Sequence, residues 1–301
     1  MSSRALRGWP GLLLGVSLLT ALSVACAPTD ESTDSADTPA TSDGAATGAT
    51  DSDACADPQT YKPGVLTLAT DDPVFEPWMY DNDPTNGKGF ESAVAYAVAE
   101  KMGFAEEDVD WTRVGFNASY QPGAKKFDFD INQISISPKR AEAVTFSEGY
   151  YTVTQAIIVE KDSPYADATS LADFQDATLG AQVGTTSLDA ITETIQPSTQ
   201  PQVFDDTNVA KNALQNGQVD GIVADLPTAF YITAVEIPSA TIAGQFQTTG
   251  GEPEEFGLLF EKDNPLVDCA NQALDELKAD GTLQAIQDKW LSQSANAPTL
   301  D

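Results

Sequence analysis

Residues 127–151 read FDFDINQISISPKRAEAVTFSEGYY. A short β-like run, 127–131, ends in a polar turn, after which Ser137 and Pro138 open a helix whose first turn carries Arg140. Serine at an N-cap followed by proline is a start signal: the hydroxyl accepts an orphan N–H, and proline has none to lose. A cation there stands against the positive end of the helix dipole. It is best tolerated beside a bound anion, and a helix N-terminus with an arginine fork recognises a carboxylate bidentately. The turn is read as a carboxylate-binding site.

Strand-like runs at 65–70, 109–116, 155–159, 177–183, 219–224 and 256–260 alternate with helical runs at 89–102, 188–195, 264–280 and 282–291 and one that ends at Gly217. Such alternation predicts α/β architecture. If 155–159 leaves a first lobe and 256–260 returns to it, two lobes share a hinge. The loop after the first strand, DDPVFEPW, places Phe75 and Trp78 at a strand's C-terminal end, where open α/β sheets bind ligands. Core packing beneath the loop is the other reading of these aromatics, above all of Trp78. Gly184-Thr185-Thr186-Ser187 repeats the strand, polar turn, helix plan and supplies a second set of helix-terminal N–H groups. Asp225 ends the 219–224 strand and reads as a cation-binding carboxylate or as the N-cap of the next helix.

The 301 residues carry 46 acidic and 15 basic side chains, a net charge of −31. That surface repels nucleic acid and anionic headgroups. With no histidine, His-dependent catalysis and His-ligated metals are excluded. Residues 1–25 begin with Arg4 and Arg7 and continue as an apolar run, the pattern of a secretory signal peptide or of an uncleaved anchor. Leu22-Ser23-Val24-Ala25-Cys26 resembles a bacterial lipobox, in which the cysteine is lipidated; two or three palmitate-type acyl chains would hold the chain on the extracytoplasmic face of the cell membrane. After removal of the leader only Arg113 and Arg140 remain as arginines. Residues 27–54 are Ala, Ser, Thr, Asp, Gly and Pro with a single Glu, without apolar periodicity, and read as a flexible acidic linker. Cys55 and Cys269, an even pair in an exported chain, read as a disulfide or as two free thiols.

Taken together, DDPVFEPW, Gly89-Phe90-Glu91 with its helix, KKFDFDINQISISPKRAEAVTFSEGYY, VGTTS, VDGIVAD and LKADGTLQAIQDKW resemble the family 3 extracellular solute-binding proteins of polar amino acid ABC transporters. The resemblance spans roughly residues 60–292 and implies a two-lobe, type II periplasmic-binding-protein-like α/β fold. Lobe 1 would be 58–155 plus 258–292 and lobe 2 156–257, between a 26–57 linker and a 293–301 tail. It implies a free polar amino acid as ligand, ABC permease and ATPase subunits as partners, a monomer, and neither catalysis nor cofactor. Carried over residue by residue, Arg140 would clamp the ligand's α-carboxylate with Ser135 and main-chain N–H groups near Thr185 and Thr186. Asp225 would take the α-ammonium, Phe75 and Trp78 would cover the ligand, and Gln133 and Asp72 would meet its side chain. The second acid of the family's Gly-Phe-Asp-x-Asp is absent here, and 118–123 is shorter than usual, so the side-chain end of the site departs from the pattern. A dehydratase of the same fold, of the prephenate or arogenate type with Glu76 and Asp225 as acids, and a ligand-sensing lipoprotein without transport are the competing readings.

Overall fold

The computed structural model describes residues 55–248, 253–292 and 297–301. The leader, Cys26 and the linker up to residue 54 lie outside them. Along the chain the main elements are β1 (Leu66–Thr70), α1 (Phe90–Lys101), β2 (Val109–Arg113), α2 (Phe116–Ser119), β3 (Phe129–Asp130), α3 (Pro138–Ala141) and β4 (Val144–Val153). There follow β5 (Gln155–Glu160), β6 (Leu179–Gln182), α4 (Thr186–Ala190), β7 (Gln202–Phe204), α5 (Thr207–Gln215), β8 (Gly221–Asp225), α6 (Leu226–Tyr231) and β9 (Ala240–Phe246). The last elements are β10 (Glu254–Glu261), α7 (Leu266–Ala279) and α8 (Thr282–Leu291).

Two mixed five-stranded sheets result, ordered β2-β1-β3-β10-β4 and β7-β6-β8-β5-β9. Strand β1 is buried at all five residues and lies parallel to β2 and β3, as expected of a strand covered on both faces. In β5 the side chains alternate between two cores: Ala156 and Ile158 pack with Ile222, while Ile157 and Val159 pack with Val223. A period of two with apolar residues on both faces makes β5 a central strand. Between β4 and β5 only Thr154 intervenes, so the chain passes from one sheet to the other in a single residue. It returns between β9 and β10. Each sheet with its helices forms one lobe of a two-lobe α/β fold.

Helix α1 is apolar on most of its surface and fills the first lobe's main core with Phe90, Val94, Ala95 and Val98. Gly89 before it has φ 102°, and a Cβ there would overlap the Trp78 main chain, so only glycine allows the helix to start so close to that loop. Cys55 and Cys269 are joined as a disulfide that staples the chain's entry to α7. Residues 297–301 cross to the second sheet, where Leu300 is buried against Gly244 and Thr299 bridges Gln245.

Several elements differ from the sequence reading. The helix opened by Ser137 is one turn long, so no extended dipole faces Arg140. Phe116, read as the end of a strand, instead opens α2. Strand β7 overlaps the start of the stretch read as the helix ending at Gly217, and β9 was not anticipated, because the first is a three-residue, mostly exposed strand and the second is interrupted by Gly244. No helix of the described residues is long and apolar enough to cross a membrane.

Candidate functional site

The cleft between the sheets is lined from the first lobe by Asp71, Phe75, Phe116, Asn132 and Gln133. From the second lobe come Gln182, Thr185, Thr186, Ser187, Asp225 and Thr228, among others. Five of the residues singled out from sequence, Phe75, Gln133, Thr185, Thr186 and Asp225, therefore meet around one space. Phe116 joins Phe75 there as a second aromatic. It could have been found, since it ends the segment read as the second strand just as Phe75 follows the first.

Arg140, 8% exposed, is not among the residues lining this space but touches Phe116 and the Gly184 carbonyl, both beside it. Its main-chain N–H donates to the Ser137 hydroxyl at 3.2 Å, the N-cap expected from sequence. Its guanidinium does not point at a carboxylate: Nη1 donates to the Ser135 carbonyl at 2.7 Å and Nη2 to the Gly184 carbonyl at 2.9 Å. One acceptor belongs to each lobe, so the side chain ties the closed cleft together. The guanidinium carbon also stands 5.4 Å from the Phe116 ring centroid and 5.0 Å from that of Tyr120. Such cation–π contacts contribute about 0.5–2 kcal/mol each. Burial presses its pKa below the usual guanidinium value, opposed by Tyr120, Glu254, Asp189 and Asp225. Among the described residues Arg140 makes no ion pair, so its close contacts are carbonyl dipoles and rings, with the carboxylates of Glu254, Asp189 and Asp225 acting from further off.

Asp225 stands at the N-terminus of α6, yet its side chain makes no capping bond. Its Oδ1 instead accepts the Gln155 amide at 2.9 Å. Burial, and then the neighbouring carboxylate of Glu254, push its pKa up to about 8. The capping alternative is thereby set aside: this carboxyl faces the cleft. Thr185 does cap, accepting from the Leu188 N–H at 3.2 Å, which leaves the first N–H groups of α4 without intrahelical acceptors at the cleft wall.

Gln133 has φ 49°, and both its N–H groups are held by Glu91, the main chain at 2.6 Å and the side-chain amide more closely still. The Tyr150 hydroxyl donates to the same carboxylate at 2.5 Å. The single acid retained from the Gly-Phe-Asp-x-Asp pattern thus shapes the cleft from behind. Burial raises its pKa to about 7 against those three hydrogen bonds. Trp78 is placed in the first lobe's core, fully buried and edge-on to Phe90, Tyr151 and Phe256, and only its indole N–H reaches the cleft, donating to Thr228 Oγ1 at 2.7 Å. Asp72 is exposed and accepts from Asn82, while its neighbour Asp71 faces the cleft. Ser135 sits beneath the surface, its hydroxyl 2.6 Å from Glu254 Oε1 and 3.3 Å from Thr186 Oγ1.

The lobes are in contact across this space. Gly184, at φ 77°, lies against the Asn117 and Tyr120 side chains, and a Cβ there would collide with both. Gly184→Ala is expected to leave each lobe folded but to hold the cleft ajar. An increase in the radius of gyration of the variant by small-angle scattering would show it; an unchanged radius would contradict the close approach.

The profile of the bacterial extracellular solute-binding proteins, family 3, matches residues 66–293. The chain is 29% identical over 246 residues to the L-cystine-binding protein TcyA of Bacillus subtilis (strain 168), covering 78% of this chain and 84% of that one. It is 29% identical over 212 residues to the ABC transporter arginine-binding protein 1 of Escherichia coli (strain K12), with 68% and 82% covered. Among solved structures, an ancestral amino acid-binding protein that is a precursor of cyclohexadienyl dehydratase superposes with a TM-score of 0.63 at 27% identity, with 75% and 95% covered.

Proposed function

Because the chain belongs to the bacterial extracellular solute-binding proteins, family 3, we propose that it is a receptor that encloses one free polar amino acid between its lobes and delivers it to an ABC permease and its ATPase. In this reading the chain is exported by its leader and held at the membrane through a lipid on Cys26. The observation that carries the ligand class is a guanidinium and a carboxyl at opposite ends of one cleft. Arg140 and the N–H groups at the start of α4 form a cationic end beside Ser135, and Asp225 forms the other end, which becomes anionic as an ammonium binds. That polarity matches an α-carboxylate and an α-ammonium. Phe75 and Phe116 flank the space left for the side chain, with Gln133 and Asp71 at its polar wall.

A thermal-shift screen against the twenty common L-amino acids tests the reading. A ligand at 100 times its Kd stabilises the native state by about 2.7 kcal/mol, a melting shift of roughly 5–10 °C for a protein of this size. No shift with any of them would overturn it. Asp225 adds a signature. With a pKa of about 8 it holds a proton at pH 7, and an arriving ammonium favours the ionised form. Binding at pH 7 is expected to release close to one proton, read as a dependence of calorimetric enthalpy on the buffer's ionisation heat. For stability the sign runs the other way. Between the ordinary carboxylate value and about 8 the folded state holds a proton that the unfolded chain has lost, so this group's contribution falls as pH rises through that window.

A protonated, cleft-facing carboxyl is also what a dehydratase would use as a general acid, and the similarity to a dehydratase precursor gives that second reading its place. Product formed on incubation with prephenate or arogenate would favour it over a receptor.

A further inference from the structure

One carboxylate behind the cleft, bonded to Ser135 and Gln155 but not itself part of the cleft wall, has no part in the site as drawn so far. Glu254 opens β10 and pairs with Val153, the last residue of β4, at the junction where the chain passes between the sheets. Its Oε1 accepts the Ser135 hydroxyl at 2.6 Å, and its Oε2 accepts the Gln155 amide at 3.2 Å. The same amide nitrogen donates to Asp225 Oδ1 at 2.9 Å, while the Gln155 carbonyl oxygen accepts the Ser187 hydroxyl at 2.7 Å. Gln155 is thereby fixed in orientation, with an N–H for each carboxylate.

Counting protons gives the consequence. A serine hydroxyl has one hydrogen to donate. With Glu254 ionised, the hydrogen of Ser135 is committed to it and is withheld from any ligand carboxylate. Glu254 also places a negative charge between Ser135, at the carboxylate end, and Asp225, at the ammonium end.

We infer that Glu254 is an affinity-setting residue of the cleft: its carboxylate occupies the Ser135 hydroxyl and joins it through Gln155 to Asp225, so that an entering amino acid competes with a carboxylate of the protein itself. The inference rests on the amino acid receptor reading and deepens it.

The test is Glu254→Gln in the full chain. The new amide can donate to Ser135 Oγ and accept from Gln155, which preserves the packing, frees the serine hydrogen and removes the charge. Isothermal titration with L-arginine, L-glutamine and L-cystine as probes should show the variant binding its probe about 10- to 100-fold more tightly than wild type, the effect of one added hydrogen bond to a charged group. The gain should be absent from the Glu254→Gln/Ser135→Ala pair. Binding that is unchanged or weaker in Glu254→Gln overturns the inference. A second measurement needs no ligand: carboxyl carbon NMR of Asp225, which Glu254, Glu91, Arg140, Tyr150 and Tyr151 all influence. Its titration should move to lower pH in Glu254→Gln, and an unmoved curve sinks the proposed link. If no common amino acid binds wild type, the receptor reading fails while this titration still decides the role of Glu254.

Discussion

Replacing Arg140 with alanine is expected to weaken amino acid binding by roughly two to three and a half orders of magnitude, the cost of leaving a buried carboxylate without its partner, about 3–5 kcal/mol. In the closed cleft the guanidinium spends two of its five N–H donors on the Ser135 and Gly184 carbonyls. The remaining donors are what a ligand carboxylate would take, so its capture adds to the bonds across the lobes. The variant should lose on both counts: no cation for the ligand, and no bond across the lobes. Titration calorimetry measures the first, and scattering of the unliganded protein, more open than wild type, measures the second. A variant that binds as tightly as wild type removes Arg140 from the site. Arg140→Lys does not rescue fully, because an ammonium cannot present the planar fork that reaches both lobes at once.

The second large effect lies at the disulfide. Cys55 and Cys269 are 214 residues apart in sequence, and closing a loop of that length restricts the unfolded chain by about 5 kcal/mol in the chain-entropy account. The paired substitution Cys55→Ser/Cys269→Ser is expected to lower the melting temperature by roughly 10–20 °C. Wild type in strong reductant should follow it, which ties the loss to the bond rather than to the serines. A melting temperature within two or three degrees of wild type would show that the loop contributes little.

What the sequence disclosed and what it hid divide along physical lines. The two-lobe plan was legible because β1, β5 and β8 are apolar runs bounded by turn residues, and α1 and α7 are long and closed by Gly103 and Gly281. β9 was not, since its interior position comes from pairing with β5 and from Leu300 seated on Gly244, contacts made far along the chain. Arg140, Thr185 and Asp225 could be singled out because each sits at the end of a recognisable strand or turn; of these Thr185 and Asp225 line the cleft. Trp78 and Asp72 were harder to place, because a loop's direction decides which of several adjacent residues turns inward; here Asp71 faces the cleft and Asp72 the solvent. Glu254 carried no local signal at all. Its partners Ser135, Gln155 and, through the latter, Asp225 come from three other segments, and only the fold brings them to one carboxylate.

The bond between Cys55 and Cys269 also fixes a mechanical path. Tension applied anywhere N-terminal to Cys55 enters the fold covalently at α7, in the middle of the first lobe's core, rather than peeling β1 from its neighbours one hydrogen bond at a time. The first lobe bears the load as a block. The second is joined to it through Thr154, the return into β10 and the C-terminal residues that seat Leu300 on Gly244, and none of these lies between Cys55 and α7, so the path of the load bypasses the cleft.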